Sequence, residues 1–225
     1  MTATRHFDEE LNQLKDKLLT MASYAEKSVR TAVDALIHRD DNLANQVEET
    51  DSIIDRLEME NDDFCIHLLA LQSPMASDLR LITMGIKIVN DLERVGDEAT
   101  TIARRARELN HEPPLDAAKS IPEMANITIK MLNDSLSAFV SRDISLARAV
   151  IKKDLEVDAL NKSIHKELLE LMLNDKNCIT RCLNLMVISK SLERIADHAT
   201  NLAEEVVYLL EGKDIRHSEK FNKLN

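Results

Sequence analysis

Acidic residues recur in this chain in pairs whose two members stand four positions apart. Residues with this spacing lie on one face of an α-helix, so each pair would project two carboxylates side by side. Oxygen-rich clusters of this kind suit Mg, Ca, Mn or Fe ions, with carboxylates bridging ions where several bind. The pattern predicts metal-binding sites, and the candidate ligands are Asp51, Asp55, Glu93, Asp97, Asp154, Asp158, Glu193 and Asp197.

Each half of the chain carries two such pairs, placed symmetrically about a turn. Ser73-Pro74 marks the midpoint between the first two pairs, and residues 174–176 mark the midpoint between the last two. Antiparallel helices joined by a short turn align residues that are equally far from that turn. We therefore expect four carboxylates at one height in each half, where they repel one another unless something positive compensates. The alternative is that these acids form solvated helix faces and bind nothing.

The two halves differ in the residues that surround the acid pairs. In the first half, Glu48 and Glu58 are predicted to lie on the same face as the acids. In the second half, Lys190 stands one turn before Glu193, where its ammonium group could partly replace a cation. The hypothesis that follows is that the first half binds metal more tightly than the second.

Other charged side chains near the pairs are predicted to have different roles. Arg94 and Arg194 point about 100° away from the neighbouring glutamates, which predicts that they pair elsewhere or meet a partner. His198 faces away from the acid beside it, and we expect a packed or exposed histidine there. Direct phosphate binding would have to overcome the net charge of −11, with bound metal or an arginine cluster such as Arg104/Arg105.

Six long helices are predicted, because breaks in the apolar pattern are few. Asp40 is expected to cap the second helix, and Ser73-Pro74 is expected to start the third. Ser120-Ile-Pro122-Glu123 reads as a capping box for the fourth helix, and Asp143 repeats the Asp40 signal. The predicted ranges are 6–38, 41–72, 74–110, 121–141, 144–173 and 178–211.

The second half of the chain repeats the first. Arg39-Asp40 recurs 103 residues later as Arg142-Asp143, and Leu92–Thr100 recurs 100 residues later as Leu192–Thr200. A duplicated three-helix unit explains both offsets, because the change falls at a turn where an indel is easily tolerated. The predicted fold is all-α, with two tandem repeats of a three-helix bundle. The repeats are expected at 5–110 and 120–212, with a linker at 111–119 and a C-terminal tail at 213–225.

The composition limits the classes of protein to which this chain can belong. The 225 residues include 3 Gly, 4 Pro and no Trp, which is typical of long helices with few turns. A net charge of −11 argues against nucleic-acid binding, because such proteins concentrate positive charge. The sequence does not begin with an apolar signal peptide and contains no run long enough to cross a membrane. The odd number of cysteines predicts reduced core thiols in a cytoplasmic protein, although Cys178 and Cys182 could share a metal.

Enzymatic activity is not expected. The scattered glycines exclude a phosphate-binding loop and a dinucleotide fingerprint. Di-iron enzymes on helical bundles need a Glu-x-x-His motif on two helices, but the only match, Glu108-x-x-His111, ends a helix beside the linker. Arrangements of Ser, His and Asp or of Cys and His that could form a nucleophile do not stand out.

The duplicated unit resembles the PhoU family, the accessory proteins of the phosphate-specific transport system. The resemblance rests on the paired acidic motifs and on Leu192-Glu-Arg-Ile-Ala-Asp-His-Ala-Thr200, the counterpart of Leu92-Glu-Arg-Val-Gly-Asp-Glu-Ala-Thr100, and it spans residues 5–212. It implies two three-helix bundles and usual homodimerisation. It also implies multinuclear iron, zinc or another metal at the eight acids, so that Fe, Mn, Zn and Mg are all candidates.

The same resemblance implies a cytoplasmic regulator that reaches the membrane only through protein partners. Those partners would be the phosphate ABC transporter, through its ATPase subunit, and a sensor histidine kinase. Such a protein restrains phosphate uptake and holds the phosphate-starvation response off when phosphate is plentiful. The alternatives are an accessory protein of a low-affinity phosphate permease, a metal-storage or redox bundle, and a purely structural helical adaptor.

Overall fold

In a computed structural model, the chain is built from long α-helices. The structure describes residues 2–72, 74, 76–115, 117, 119–212 and 215. The predicted tail at 213–225 therefore lies almost entirely outside the described residues. The helices are α1 (Thr2–His38), α2 (Asp41–Gln72), α3 (Ala76–Asn110), α4 (Ile121–Ser141), α5 (Ile144–Asn174) and α6 (Ile179–Glu211), with a 3-10 turn over Lys176–Cys178 before α6.

Aspartate caps begin α2 and α5 as the sequence predicts. The Asp40 carboxylate accepts a hydrogen bond from the backbone N–H of Asn42, and that of Asp143 accepts bonds from Ser145 and Leu146. These bonds satisfy N–H groups that have no partner inside the helix. Two interhelical turns thus form in the same way in both repeats.

Two predicted helix starts are corrected. The fourth helix has no capping box, because Ser120 adopts a helical backbone conformation (φ −82°, ψ −7°) and its side chain makes no capping hydrogen bond. A capping side chain normally needs an extended backbone at that position. Pro74 precedes α3, which begins at Ala76 instead of residue 74. The Ser73 cap predicted there lies outside the described residues.

The three helices of each repeat run alternately up and down. In the first repeat, Gly85 of α3 lies beside both Leu14 of α1 and Cys65 of α2. In the second repeat, Ser189 of α6 contacts Asn161 of α5 and Met124 of α4. Each repeat is therefore a three-helix bundle, and the predicted fold class is confirmed.

The two repeats pack against each other chiefly through α3 and α6, with a smaller contact between α1 and α4. Lys87 pairs with Glu205 and Glu98 pairs with Arg194, so α3 and α6 run antiparallel. A single core of buried side chains spans both repeats. No described helix has a stretch that is both long and apolar enough to cross a membrane.

Candidate metal-binding clusters

The first acidic cluster lies where α2 and α3 pack closely. Gly96 makes this approach possible, because a Cβ atom at its position would stand 3.0 Å from Ile54 Cδ1 and 3.4 Å from Asp51 Oδ1. Burial raises the pKa of Asp51, and the negative charges of Asp55 and Asp97 raise it further. The structure thus brings the acids of the two helices together, as their spacing from the turn predicts.

The first cluster extends further along α2 than the paired motifs indicate. Burial raises the pKa of Glu93, with a further rise from the charge of Asp97. Glu58 and Asp62 also have raised pKa values, caused first by burial and then by neighbouring acids. Asp62 is a member that the sequence analysis missed. Its place four residues after Glu58 is the signal that could have found it.

The second cluster is the equivalent site between α5 and α6. Burial raises the pKa of Asp154 to about 6, and the charges of Asp197, Asp158 and Glu193 add to the rise. Burial likewise raises the pKa of Asp197. One oxygen of Asp154, Oδ1, is buried without a hydrogen-bond partner among the described residues. Four carboxylates therefore share this site at a cost in electrostatic energy.

Arginines compensate part of the charge of the first cluster. The prediction that Arg94 pairs elsewhere is wrong, because its Nε lies 3.3 Å from Glu93 Oε2 and its Nη1 lies 3.4 Å from Asp97 Oδ2. The long arginine side chain curls back along α3 to reach the acids on either side. Glu48 is held by other arginines, with Arg104 Nε at 3.3 Å and Arg107 Nη2 at 3.1 Å.

In the second cluster, a lysine compensates part of the negative charge. Lys190 Nζ donates a hydrogen bond to Glu193 Oε2, and its positive charge lowers the pKa of Asp197 against the effect of burial. Lys162 Nζ lies 3.8 Å from Asp158 Oδ2 at the outer edge of the site. The position of Lys190 follows from the sequence pattern, whereas that of Lys162 was not predicted.

The guanidinium groups of Arg104 and Arg105, which could offset the net charge for direct phosphate binding, are both paired with acids. Arg104 pairs with Glu48, and Arg105 Nη1 donates to Glu108 at 2.9 Å. The prediction for Arg194 is confirmed, because it pairs with Glu98 of the other repeat at 3.0 Å. Both thiols of Cys178 and Cys182 are free and buried, as predicted for core cysteines.

The donor atoms are of the kind that hard metal ions prefer, but their positions in the structure do not form a binding site. The eight candidate ligands offer carboxylate oxygens only, which suit Mg, Mn or Fe. Within the part of the chain that the structure describes, no three Asp, Glu, His or Cys side chains converge closely enough to hold one metal ion. An ion would therefore have to draw the carboxylates together, and the metal sites stay a prediction.

A second polar feature, which the sequence analysis missed, joins the two repeats. His198 Nδ1 lies 2.8 Å from Asp91 Oδ1, and Asn201 donates to the same oxygen at 3.4 Å. Lys87 Nζ lies 2.7 Å from Glu205 Oε1 further along the same seam. The only signal in the sequence is that these residues lie beside the acid motifs on α3 and α6, which does not by itself predict their partners.

Comparisons with known proteins agree on one family. The profile of the PhoU domain matches twice, at residues 18–106 and 121–206. A Pseudomonas aeruginosa protein named "Phosphate-specific transport system accessory protein PhoU homolog" is 42% identical over 217 residues, which cover 95% of this chain and 89% of that protein.

Solved structures give the same result. The crystal structure of PhoU from Pseudomonas aeruginosa superposes with a TM-score of 0.90 and 42% identity, covering 92% of this chain and 100% of that one. The phosphate transport system regulatory protein PhoU from Streptococcus pneumoniae superposes with a TM-score of 0.87 and 29% identity, covering 92% of this chain and 98% of that one.

Proposed function

This chain belongs to the PhoU family, and we propose that it is a negative regulator of phosphate uptake and of the phosphate-starvation response. The observation that carries this proposal is similarity along both repeats to a protein named as an accessory of the phosphate-specific transport system. The name of the Streptococcus pneumoniae relative, a phosphate transport system regulatory protein, supports the regulatory part. No catalytic step in this chain is part of the proposal.

The proposed protein acts as a cytoplasmic adaptor between two partners. These are the ATPase subunit of a phosphate ABC transporter and a sensor histidine kinase, and the adaptor functions as a homodimer. The α5 helix is about 45 Å long, so it offers a broad and rigid docking face. Apolar side chains are exposed on α5, among them Leu173 at 76% and Leu155 at 66%. Large exposed apolar side chains in a folded domain favour protein–protein contacts.

A rescue experiment tests the regulatory role. The chain is expressed in a bacterium whose own PhoU protein has been deleted, and a phosphate-starvation reporter is measured in high phosphate. We expect the reporter to fall to its repressed level. A reporter that stays fully induced, although the protein is folded and abundant, would reject the role.

A binding experiment separates the adaptor from its nearest alternative. The purified protein is mixed with the ATPase subunit of the ABC transporter, with the kinase, or with a low-affinity phosphate permease. Binding to the first two favours the adaptor. Binding to the permease alone favours an accessory protein of that permease, which shares the helical architecture.

Metal binding at the acidic clusters is a separate part of the proposal. It is supported by the oxygen donors and by the burial that raises the pKa values of Asp51, Glu93, Asp154 and Asp197. Elemental analysis compares the wild type, purified without chelating resin, with Asp97→Asn plus Asp197→Asn. We expect bound metal to fall in the double variant. A wild type that stays metal-free after reconstitution with Fe, Mn, Zn and Mg would leave the acids as solvated faces.

A further inference from the structure

The repeats differ in charge at two equivalent positions beside the acidic clusters. Lys190 of α6 corresponds to Asn90 of α3 by the offset of 100 residues, and Lys162 of α5 corresponds to Met59 of α2 by the offset of 103. Both differences place a positive charge in the second repeat where the first repeat has a neutral side chain. The second cluster therefore has two ammonium groups that the first cluster lacks.

Lys190 makes the closer of the two contacts. Its Nζ donates a hydrogen bond to Glu193, whose side chain is only 14% exposed. Its charge also reaches Asp197, one turn further along the same helix. Because the ammonium is tethered to α6, it competes for the carboxylates at a high effective concentration, without the entropy cost of capturing a free ion.

The arginine of the second repeat is engaged elsewhere. In the first repeat, Arg94 lies against Glu93 and Asp97 with its side chain 60% exposed, so solvent screens its charge. Its counterpart, Arg194, turns across the seam to Glu98. The two clusters are thus compensated by different groups, a guanidinium whose side chain is 60% exposed in the first and a lysine whose side chain is 45% exposed in the second.

We propose that Lys190 is the resident cation of the second cluster, so that this cluster does not take a metal ion. The charge of Lys190 offsets part of the repulsion among Asp154, Asp158, Glu193 and Asp197 without a metal ion. The metal binding proposed above for both clusters is thereby restricted to the first cluster. Only this last statement rests on the proposed function, because the role of Lys190 as a counter-ion does not require metal anywhere.

The matched variant is Lys190→Asn, which gives the second repeat the residue of the first. The control is Lys130→Asn, which removes the same charge from the exposed pair of Lys130 with Asp134 on α4. Melting is measured in EDTA. We expect Lys190→Asn to lower the melting temperature by about 2–4 °C more than the control does, the scale of losing one partly buried ion pair in a chain of this size. Adding Asp197→Asn should recover part of the loss, since it removes one of the repelling charges.

Titration with Mn²⁺ tests the second half of the proposal. We expect Lys190→Asn to bind one more ion per chain than the wild type, and the extra ion to stabilise the variant against heat. Equal melting of Lys190→Asn and Lys130→Asn in EDTA would overturn the proposal. The proposal would also be overturned if Asp197→Asn lowered the amount of Mn²⁺ bound to the otherwise wild-type chain as much as Asp97→Asn does. If the wild type binds no metal, the proposed metal function fails, and the melting comparison alone decides the role of Lys190.

Discussion

His198 of α6 contacts Asp91 of α3 with its Nδ1 atom 2.8 Å from Oδ1, although the two residues belong to different repeats. The side chains are only 22% and 16% exposed, so the pair is largely shielded from solvent. Asn201 shares the same carboxylate oxygen of Asp91. This contact therefore couples the two three-helix bundles at the level of their acidic clusters.

Replacing His198 by alanine should weaken the joint between the repeats. Among the described residues, Asp91 would keep only the long contact from Asn201. A half-buried carboxylate without a good partner costs about 1–3 kcal/mol. We expect a loss of that size in the free energy of unfolding, measured by urea denaturation. His67→Ala is the matched control, because His67 is exposed on α2. An equal effect of both substitutions would show that the contact with Asp91 contributes nothing to stability.

Gly96 and Ile54 should be energetically coupled. A methyl group at residue 96 would stand 3.0 Å from Ile54 Cδ1, which is too close without a shift of Ile54. The gain of about 1 kcal/mol in helix propensity from Gly→Ala should therefore be offset by overpacking of about 1–3 kcal/mol. Ile54→Val removes the Cδ1 atom, so Gly96→Ala should cost less in that background.

A double-mutant cycle on Gly96→Ala and Ile54→Val measures this coupling by chemical denaturation. We expect an interaction energy of about 0.5–1.5 kcal/mol, in the range found for residues in contact. In the second repeat, Ala196 already occupies the position equivalent to Gly96, so that helix pair serves as the comparison for an alanine at this place. Additive effects within error would contradict the close approach of α2 and α3 at this level.

The acidic clusters were predictable because they follow from helical periodicity and from symmetry about a turn. Asp51 and Asp97 come together once α2 and α3 form an antiparallel hairpin, and both helices are evident from the apolar pattern. The Asp91–His198 contact was not predictable, since it depends on how one bundle rotates against the other. That rotation is set by packing along the whole seam and leaves no short-range signal in the sequence.

The rotamer of Arg94 was not predictable from the sequence either. The direction of the Cα–Cβ bond places Arg94 away from Glu93, but the side chain is long enough to return to the acids. Helical periodicity determines the direction of the Cα–Cβ bond. The surrounding charges determine where the charged end of a long, flexible side chain lies. The short side chain of Asp97 is therefore placed correctly from the pattern, whereas the long side chain of Arg94 is not.

The two left-handed turn residues should respond differently to glycine. Arg39 and Arg142 both have φ of 54°, a conformation that costs a non-glycine residue about 1 kcal/mol. Arg39 also donates to the carbonyl oxygens of Leu109 and Asn110 at 3.0 and 2.8 Å, closing the end of α3. The exposed side chain of Arg142 lies at the surface.

Arg142→Gly should therefore raise the free energy of unfolding by up to about 1 kcal/mol, because it relieves the backbone. Arg39→Gly gains the same relief but loses charge-assisted hydrogen bonds worth about 1.5–3 kcal/mol, so it should destabilise the protein. Both are measured by urea denaturation under one set of conditions. Equal stabilisation by the two variants would mean that the Arg39 contacts with the end of α3 are unimportant.

Asp154→Asn should stabilise the metal-free protein at neutral pH but not in acid. Burial raises the pKa of Asp154 to about 6 in the folded state, from an ordinary value of 3.8. Between these values the folded chain holds a proton that the unfolded chain has lost, so the stability of the wild type falls as pH rises through this window. Because asparagine does not ionise, the variant does not lose stability over this pH range. After allowance for solvent screening, we expect a gain of about 1 kcal/mol near neutral pH, shrinking to zero at about pH 4.

The measurement is urea denaturation in EDTA at a series of pH values, with Asp16→Asn as the control. Asp16 is an exposed carboxylate on α1, so its substitution removes one negative charge without relieving a buried site. The difference between the two variants isolates the contribution of the second cluster. If Asp154→Asn were less stable than the control at neutral pH, the ionised carboxylate would have to be favourable where it lies. In that case Lys190 would compensate the cluster more completely than the raised pKa of Asp154 indicates, and Lys190→Asn should reverse the sign of the difference.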